Sequence, residues 1–247
     1  MSKLRITDYL TELKNEAGGL GEIVDTATAD RVVPSRPDTT VAGVIADLVR
    51  LYRWTRTALN AVPGGPDVPR PSPVDVPVQR AAEIFEEELF LLEAALETHP
   101  HDTPAWTWAP VDHRAEFWHR RVTVATGLAR WDVQMAVGAT APVPAGLAAE
   151  AISEVFEAFL PAGERREAES EAAGLAQLFA QDADATWFVR LREGRVALLD
   201  HPDARAGLQA RAAGSASDIA LALWGRLPFG ICDIVGDEAL LQALRVA

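Results

Sequence analysis

The sequence predicts an α+β protein in which a helical bundle precedes a small mixed domain. Up to about residue 160, apolar residues recur at helical spacing, whereas short β-type runs appear only in the last third of the chain. The charged segment PAGERREAESEAAG at residues 161–174 separates the two patterns, and we interpret it as a hinge. We therefore place a bundle domain at residues 1–165 and a small α+β domain at residues 166–247.

The first domain contains five predicted helices, each with an apolar stripe. The first is predicted from Ile6 to Ala27, with Thr7 or Asp8 as its N-terminal cap. The other four are predicted at about residues 41–59, 78–97, 114–137 and 144–160.

A proline-rich stretch separates the second and third predicted helices. Six prolines within residues 61–78 are incompatible with regular helix. We interpret this stretch as an extended surface connection within the domain rather than as a peptide ligand for another protein.

The second domain is predicted from turn and cap signals. The run TWFVRLREGRVALLD predicts a β-hairpin that turns at Glu193 and Gly194. The run SASDIALALWGRLP predicts a helix capped by Ser215 or Ser217. The last run, ICDIVGDEALLQALRV, predicts a strand or loop and then a helix capped near Asp237.

Composition excludes several classes of function. The formal net charge of −13 argues against non-specific nucleic-acid binding and against docking on an anionic membrane. The N-terminal region lacks the apolar core of a signal peptide, and no run of about 20 uncharged apolar residues could span a bilayer. The single cysteine, Cys232, permits no internal disulfide. We expect a cytoplasmic protein whose partner is a small molecule, with no nucleic acid and no membrane; its oligomeric state stays open.

Side chains suited to metal binding are few and scattered. We expect His99 and His101 to be solvated rather than to act as ligands, and we expect His119 to be exposed rather than catalytic. The acidic run at residues 86–88 is expected to be a solvated helix face, because adjacent helical positions diverge. The five histidines are His99, His101, His113, His119 and His201.

The fourth predicted helix carries a recognisable pattern of aromatic, arginine and aspartate residues within EFWHRRVTVATGLARWDVQMAVG. The residues that match in order and spacing are Phe117, Trp118, Arg120, Arg121, Arg130 and Asp132. In this pattern the helix resembles the signature helix of the mycothiol-dependent maleylpyruvate isomerase family. Further agreement with that family is found upstream at Val33, Pro34, Pro37, Thr40 and Val41. Downstream, the runs ATWFVRL, GSASDIALALWGRLP and VGDEALL resemble its sterol-carrier-like domain.

The resemblance implies a DinB-like four-helix bundle followed by a sterol-carrier-like domain. It also implies a divalent metal, usually zinc, held by a histidine from the second helix and by a glutamate and a histidine from the fourth. Glutamate and histidine four residues apart project from one helix face, so a facing helix can supply the third ligand. In the family's isomerases, the cofactor mycothiol is activated beside the metal and adds to the double bond of the substrate.

The positions that correspond to these ligands hold Asp47, Ala125 and Ala129 in this chain. We therefore expect no zinc and no other metal cofactor, and mycothiol is the one cofactor that the resemblance implies. Arg121, Ala125, Ala129 and Asp132 form one stripe of the fourth helix. If this stripe faces Asp47, the two alanines leave a wide apolar cavity with polar groups at its ends.

The expected catalytic residues are Asp47, Arg121 and Asp132. Asp47 is predicted either to be buried and to act as general acid or base, or to form an ion pair with Arg121, Arg50 or Arg130. Arg226 is predicted either to bind a substrate carboxylate or to form an ordinary salt bridge. The expected substrate-binding residues are Trp54, Trp118, Ala125, Ala129 and Arg226.

Three interpretations of function follow from these residues. In the first, the protein is a metal-independent enzyme that catalyses isomerisation, cyclisation or a thiol-related transfer on an apolar or carboxylate-bearing small molecule. In the second, it is a non-catalytic small-molecule-binding protein. In the third, it is a metal- and mycothiol-dependent isomerase or transferase whose ligands are displaced, to His113 or His119 for example.

Overall fold

A computed structural model describes residues 8–25, 28–164, 172–200 and 207–246 of the chain. These residues form two compact units, which divide between Ala141 and Pro142. Helices account for most of the first unit and a five-stranded sheet for much of the second, so the predicted α+β class is confirmed. No helix in the described ranges is long and apolar enough to cross a membrane.

The first unit contains four described helices and a two-stranded antiparallel hairpin. The hairpin precedes α2, and α4 packs against both α1 and α2. In chain order the elements are α1 (Tyr9–Gly21), β1 (Val32–Val33), β2 (Arg36–Thr40), α2 (Val41–Leu59), α3 (Ala81–Thr98) and α4 (Ala115–Val137).

The ends of these helices follow the capping signals of the sequence. Asp8 caps α1 by accepting a hydrogen bond from the backbone N–H of Thr11 at 3.0 Å. Ile6, Thr7 and Ala27, which the sequence also placed at the ends of this helix, lie outside the described residues. The proline-rich residues 61–77 form neither helix nor strand.

Helix α4 lies at the centre of the first unit, and most of its residues are buried. Polar residues on it must therefore find partners inside the protein. The Thr126 hydroxyl is 2.7 Å from that of Tyr52 on α2, and Arg130 pairs with Glu16 on α1 at 2.7 Å. Burial raises the pKa of the Glu16 carboxyl, against the opposing effect of Arg130.

The prediction that His119 is exposed is wrong, because α4 has almost no solvent-facing side at this position. The His119 side chain is 4% exposed. Its Nε2 lies 2.9 Å from the carbonyl oxygen of His99, and its ring meets that of His101 edge-on at 4.4 Å. Nδ1 is buried and has no hydrogen-bond partner among the described residues. Burial lowers the pKa of His119.

The second unit begins with α5 (Ala145–Glu154), which continues into a single π-helical turn, Val155–Phe159. Its sheet has the strand order β5-β4-β3-β6-β7, in which β3 and β6 are parallel and the other pairs are antiparallel. The remaining elements are β3 (Gly174–Ala180), β4 (Ala185–Arg192), β5 (Arg195–Leu199), β6 (Ala210–Gly214), α6 (Ala216–Leu223), β7 (Asp233–Gly236) and α7 (Glu238–Gln242).

Helix α5 belongs to this second unit, whereas the predicted first domain, residues 1–165, includes it. The reason is packing within the unit. The indole of Trp224 donates to the carbonyl of Ala151 at 3.1 Å, and that of Trp187 donates to Ser153 Oγ at 3.0 Å. Half of the predicted hinge, residues 165–171, lies outside the described residues, as does His201.

The turn and cap signals of the second unit are confirmed. Glu193 and Gly194 have positive φ values of 49° and 73° and join β4 to β5, as a tight hairpin turn requires. Ser215, one of the two residues predicted to cap α6, accepts a hydrogen bond from Asp218 N at 3.0 Å. Asp237 caps α7.

The burial of His119 predicts a pH-dependent stability. The unfolded chain takes up a proton near pH 6.5, whereas the folded protein does so only at lower pH. The unfolded state therefore binds more protons, and the free energy of unfolding should fall as the pH drops from 7 to 5.5. Urea denaturation of His119→Gln should show a weaker pH dependence than the wild type. The same pH dependence in His119→Gln and in the wild type would contradict this account.

Gly236 ends strand β7 with a φ of +93°, and a Cβ at this position would overlap the carbonyl oxygen of Gln209. Gly236→Ala should therefore lower the free energy of unfolding by about 2–4 kcal/mol. Gly230 has open space around it and no positive φ, so Gly230→Ala should change stability by less than about 1 kcal/mol. Equal stability of the two variants in urea denaturation would contradict this account of the sheet edge.

Candidate functional site

The site is built around Asp132, a carboxylate on α4 whose exposure is 0%. Its Oδ1 accepts a hydrogen bond from Ser35 Oγ at 2.8 Å, and its Oδ2 lies 4.0 Å from Arg36 Nη1. Ser35 and Arg36 belong to the hairpin of β1 and β2. Because a buried carboxylate needs hydrogen bonds and an opposite charge, Asp132 fixes the position of this hairpin against α4.

Arg36 also reaches Asp47 on α2. Its Nη2 is 2.6 Å from Asp47 Oδ2, and Arg50 Nη2 is 3.3 Å from Asp47 Oδ1. The side chains of Arg36, Asp47 and Arg50 keep 29%, 44% and 42% of their surface exposed. We call Ser35, Arg36, Asp47, Arg50 and Asp132 the arginine–carboxylate cluster. It runs from the buried face of α4 to the surface.

The prediction that Asp47 is buried is therefore wrong, since nearly half of its side chain is exposed. Of the three partners that the sequence left open, Arg50 is observed. Arg130 instead pairs with Glu16, and the shortest contact of Asp47 is with Arg36. Arg36 stands at the pocket rim, where the resemblance implies a cysteine, but its contact with Asp47 was not predicted because no hairpin was predicted there. The local sequence signal for the start of β2 was an arginine that directly precedes a proline, since the residue before a proline favours extended backbone.

The residues present do not fit a zinc ion. Ala125 and Ala129 lie about two turns and one turn before Asp132 on α4, and their methyl groups offer no ligand atom. Both oxygens of Asp47 already accept hydrogen bonds from guanidinium groups. Among the described residues, no group of three histidine, cysteine, aspartate or glutamate side chains is placed to hold a metal ion.

An aromatic cluster adjoins the arginine–carboxylate cluster along α2. Asp47, Arg50 and Trp54 follow one another at helical spacing on one face. The ring of Trp54 meets that of Trp118 edge-on at 5.3 Å, and the Trp118 indole donates to the carbonyl of Trp106 at 2.6 Å. Trp118 is completely buried and Trp54 is partly exposed, so Trp54 presents the aromatic surface that Trp118 supports.

The structure also describes the two other arginines that were predicted at the site. Arg121 is buried on α4, one turn before Ala125. Arg226 belongs to the second unit, where its Nη1 donates to the carbonyl of Trp224 at 2.6 Å.

Two solved structures match the fold of this chain, and both are of mycothiol-dependent maleylpyruvate isomerase. One, a point mutant, has a TM-score of 0.56 and 12% identity and covers 92% of this chain and 93% of that chain. The other has a TM-score of 0.53 and 13% identity, with the same coverage. No protein-family model and no curated protein matches the sequence. At this level of identity, the similarity shows a distant relationship in fold.

The two carboxylates of the cluster differ in burial, and this predicts different effects on stability. Asp132→Asn should lower the free energy of unfolding by about 2 kcal/mol or more, because it removes a charge at the buried end of the cluster. Asp47→Asn should cost less than about 1 kcal/mol, because exposed ion pairs contribute little. Urea denaturation of both variants checks this order, and a larger loss for Asp47→Asn would contradict it.

Proposed function

We propose that this protein binds a small organic carboxylate at the arginine–carboxylate cluster and converts it in a metal-independent reaction of the isomerase or transferase type. The observation that carries the proposal is the position of Arg36. One guanidinium group is held between a buried carboxylate, Asp132, and a partly exposed one, Asp47.

Arg36 supplies a fixed positive charge next to the positions where the resemblance implies a metal. Asp47 stands at one of those positions and contacts Arg36, and Ala129 lies one turn from Asp132, which Arg36 also approaches. A guanidinium group cannot polarise a bound water as zinc does, but it can hold a carboxylate through two parallel hydrogen bonds. The chemistry that fits these residues is therefore recognition of an anion.

A substrate carboxylate would compete with Asp47 for the guanidinium groups of Arg36 and Arg50, both of which are partly exposed. Displacement frees an oxygen of Asp47 beside the bound substrate. Asp47 can then take a proton from a substrate carbon, whose C–H electron pair forms the double bond of an enolate. It can return the proton to a different carbon. Arg36 stabilises the negative charge on the enolate oxygen throughout.

The similar structures and the aromatic face of α2 support this class of substrate. The two solved structures are by name isomerases of maleylpyruvate, which is itself a carboxylate. The partly exposed ring of Trp54 lies one turn beyond Arg50 and would pack against an apolar part of such a molecule. Mycothiol use, and the roles of Arg121 and Arg226 toward polar substrate groups, remain predictions.

Binding can be tested by isothermal titration with maleate as the probe. Arg36→Gln and Arg50→Gln should each weaken binding at least tenfold, because each removes one guanidinium group from the cluster. Arg80→Gln is the matched control, since Arg80 forms an exposed ion pair with Glu83 at 2.8 Å. Equal affinity in all three variants would place the anion elsewhere and contradict the proposal.

Catalysis can be separated from binding by following deuterium incorporation into carboxylate substrates in D2O by NMR. The wild type should incorporate deuterium and isomerise the substrate. Asp47→Asn should bind the substrate but lose at least 100-fold in rate, because the proton acceptor is removed. Binding without exchange in the wild type would favour the non-catalytic alternative. Loss of turnover on treatment with a chelator would contradict a metal-independent reaction.

A further inference from the structure

The side chain of Arg70 lies over two tryptophan rings of the first unit. Its Cζ is 5.7 Å from the ring centroid of Trp54 and 5.6 Å from that of Trp108. A cation within about 6 Å of an aromatic face is attracted by the quadrupole of the ring. Two rings therefore act on one charge. We call Trp54 and Trp108 the tryptophan pair; both are only partly exposed.

The tryptophan pair is held by contacts that do not involve Arg70. The Trp54 indole donates to the carbonyl of Val68 at 3.3 Å, and its ring packs edge-on against Trp118 at 5.3 Å. The ring of Trp108 packs edge-on against that of Phe117 at 5.7 Å. The two rings of the tryptophan pair are thus held in place before a cation binds, which reduces the entropic cost of ordering them on binding.

The segment that carries Arg70 is also anchored without it. Val68 and Val76 are buried, and the backbone on either side of Arg70 is restricted by Pro69 and Pro71. Arg70 itself is exposed. Replacing the Arg70 side chain should therefore expose the two rings while the backbone of the segment stays in place.

We propose that the tryptophan pair is a binding site for a small organic cation of the alkylguanidinium class, and that Arg70 is an internal occupant that competes with it. A planar guanidinium group already fits against these rings, so a ligand with the same group would make the same contacts. The net charge of −13 raises the concentration of cations near the surface. The site shares Trp54 with the proposed carboxylate site but takes a ligand of the opposite charge, because its second wall is Trp108 and not a guanidinium group.

The test measures quenching of tryptophan fluorescence during titration with methylguanidinium. Methylurea, a neutral molecule of similar shape, is the matched ligand control. Arg70→Ala and Arg70→Gln remove the internal cation. Each variant should bind methylguanidinium at least tenfold more tightly than the wild type does. Each variant should also bind methylguanidinium at least tenfold more tightly than methylurea. Combining Arg70→Ala with Trp108→Ala should abolish this gain. Arg80→Gln, which removes an exposed arginine elsewhere, should behave as the wild type does.

Three results would overturn the proposal. The first is the absence of saturable quenching in both Arg70 variants, which would show that Arg70 only anchors its own segment. The second is equal affinity for methylurea, which would show recognition of shape rather than of charge. The third is loss of the wild-type near-ultraviolet circular dichroism in both Arg70 variants, because the pair would then depend on Arg70 for its structure.

Discussion

A single buried charge determines the arrangement of the candidate site. Asp132 is completely enclosed in the first unit, and an enclosed carboxylate is tolerated only with hydrogen bonds and an opposite charge close by. The hairpin before α2 meets this requirement through Ser35 and Arg36. Once Arg36 is fixed in this way, its second nitrogen meets Asp47, and Arg50 completes the cluster at the surface.

Helix α4 shows the same constraint along its length. Most of its residues are buried, and three of its polar side chains are satisfied by other elements: Thr126 by Tyr52, Arg130 by Glu16 and Asp132 by the hairpin. The hairpin thus places the guanidinium group of Arg36 beside the positions where the resemblance implies a metal. We therefore propose recognition of an anion at this place, instead of the metal chemistry that the resemblance implies.

Much of the fold could be predicted from the sequence, because helical periodicity, prolines, the Glu193–Gly194 turn and the Asp8 cap are local signals. The position of α5 could not, because its assignment depends on indole contacts with residues distant in sequence. For the site, the alignment of Asp47 and Asp132 identified two of the charged residues. The role of Arg36 depends on a hairpin register that no local pattern encodes, and the burial of His119 depends on how many elements surround α4.

We propose that Arg36 and Arg50 together form the anion site of this protein. This can be tested by recording the NMR resonances of the arginine Nε–H groups while maleate is added. The account predicts saturable shifts of the Arg36 and Arg50 resonances with one common dissociation constant, while the Arg80 resonance stays unchanged. Binding of maleate that leaves the Arg36 and Arg50 resonances in place would contradict it.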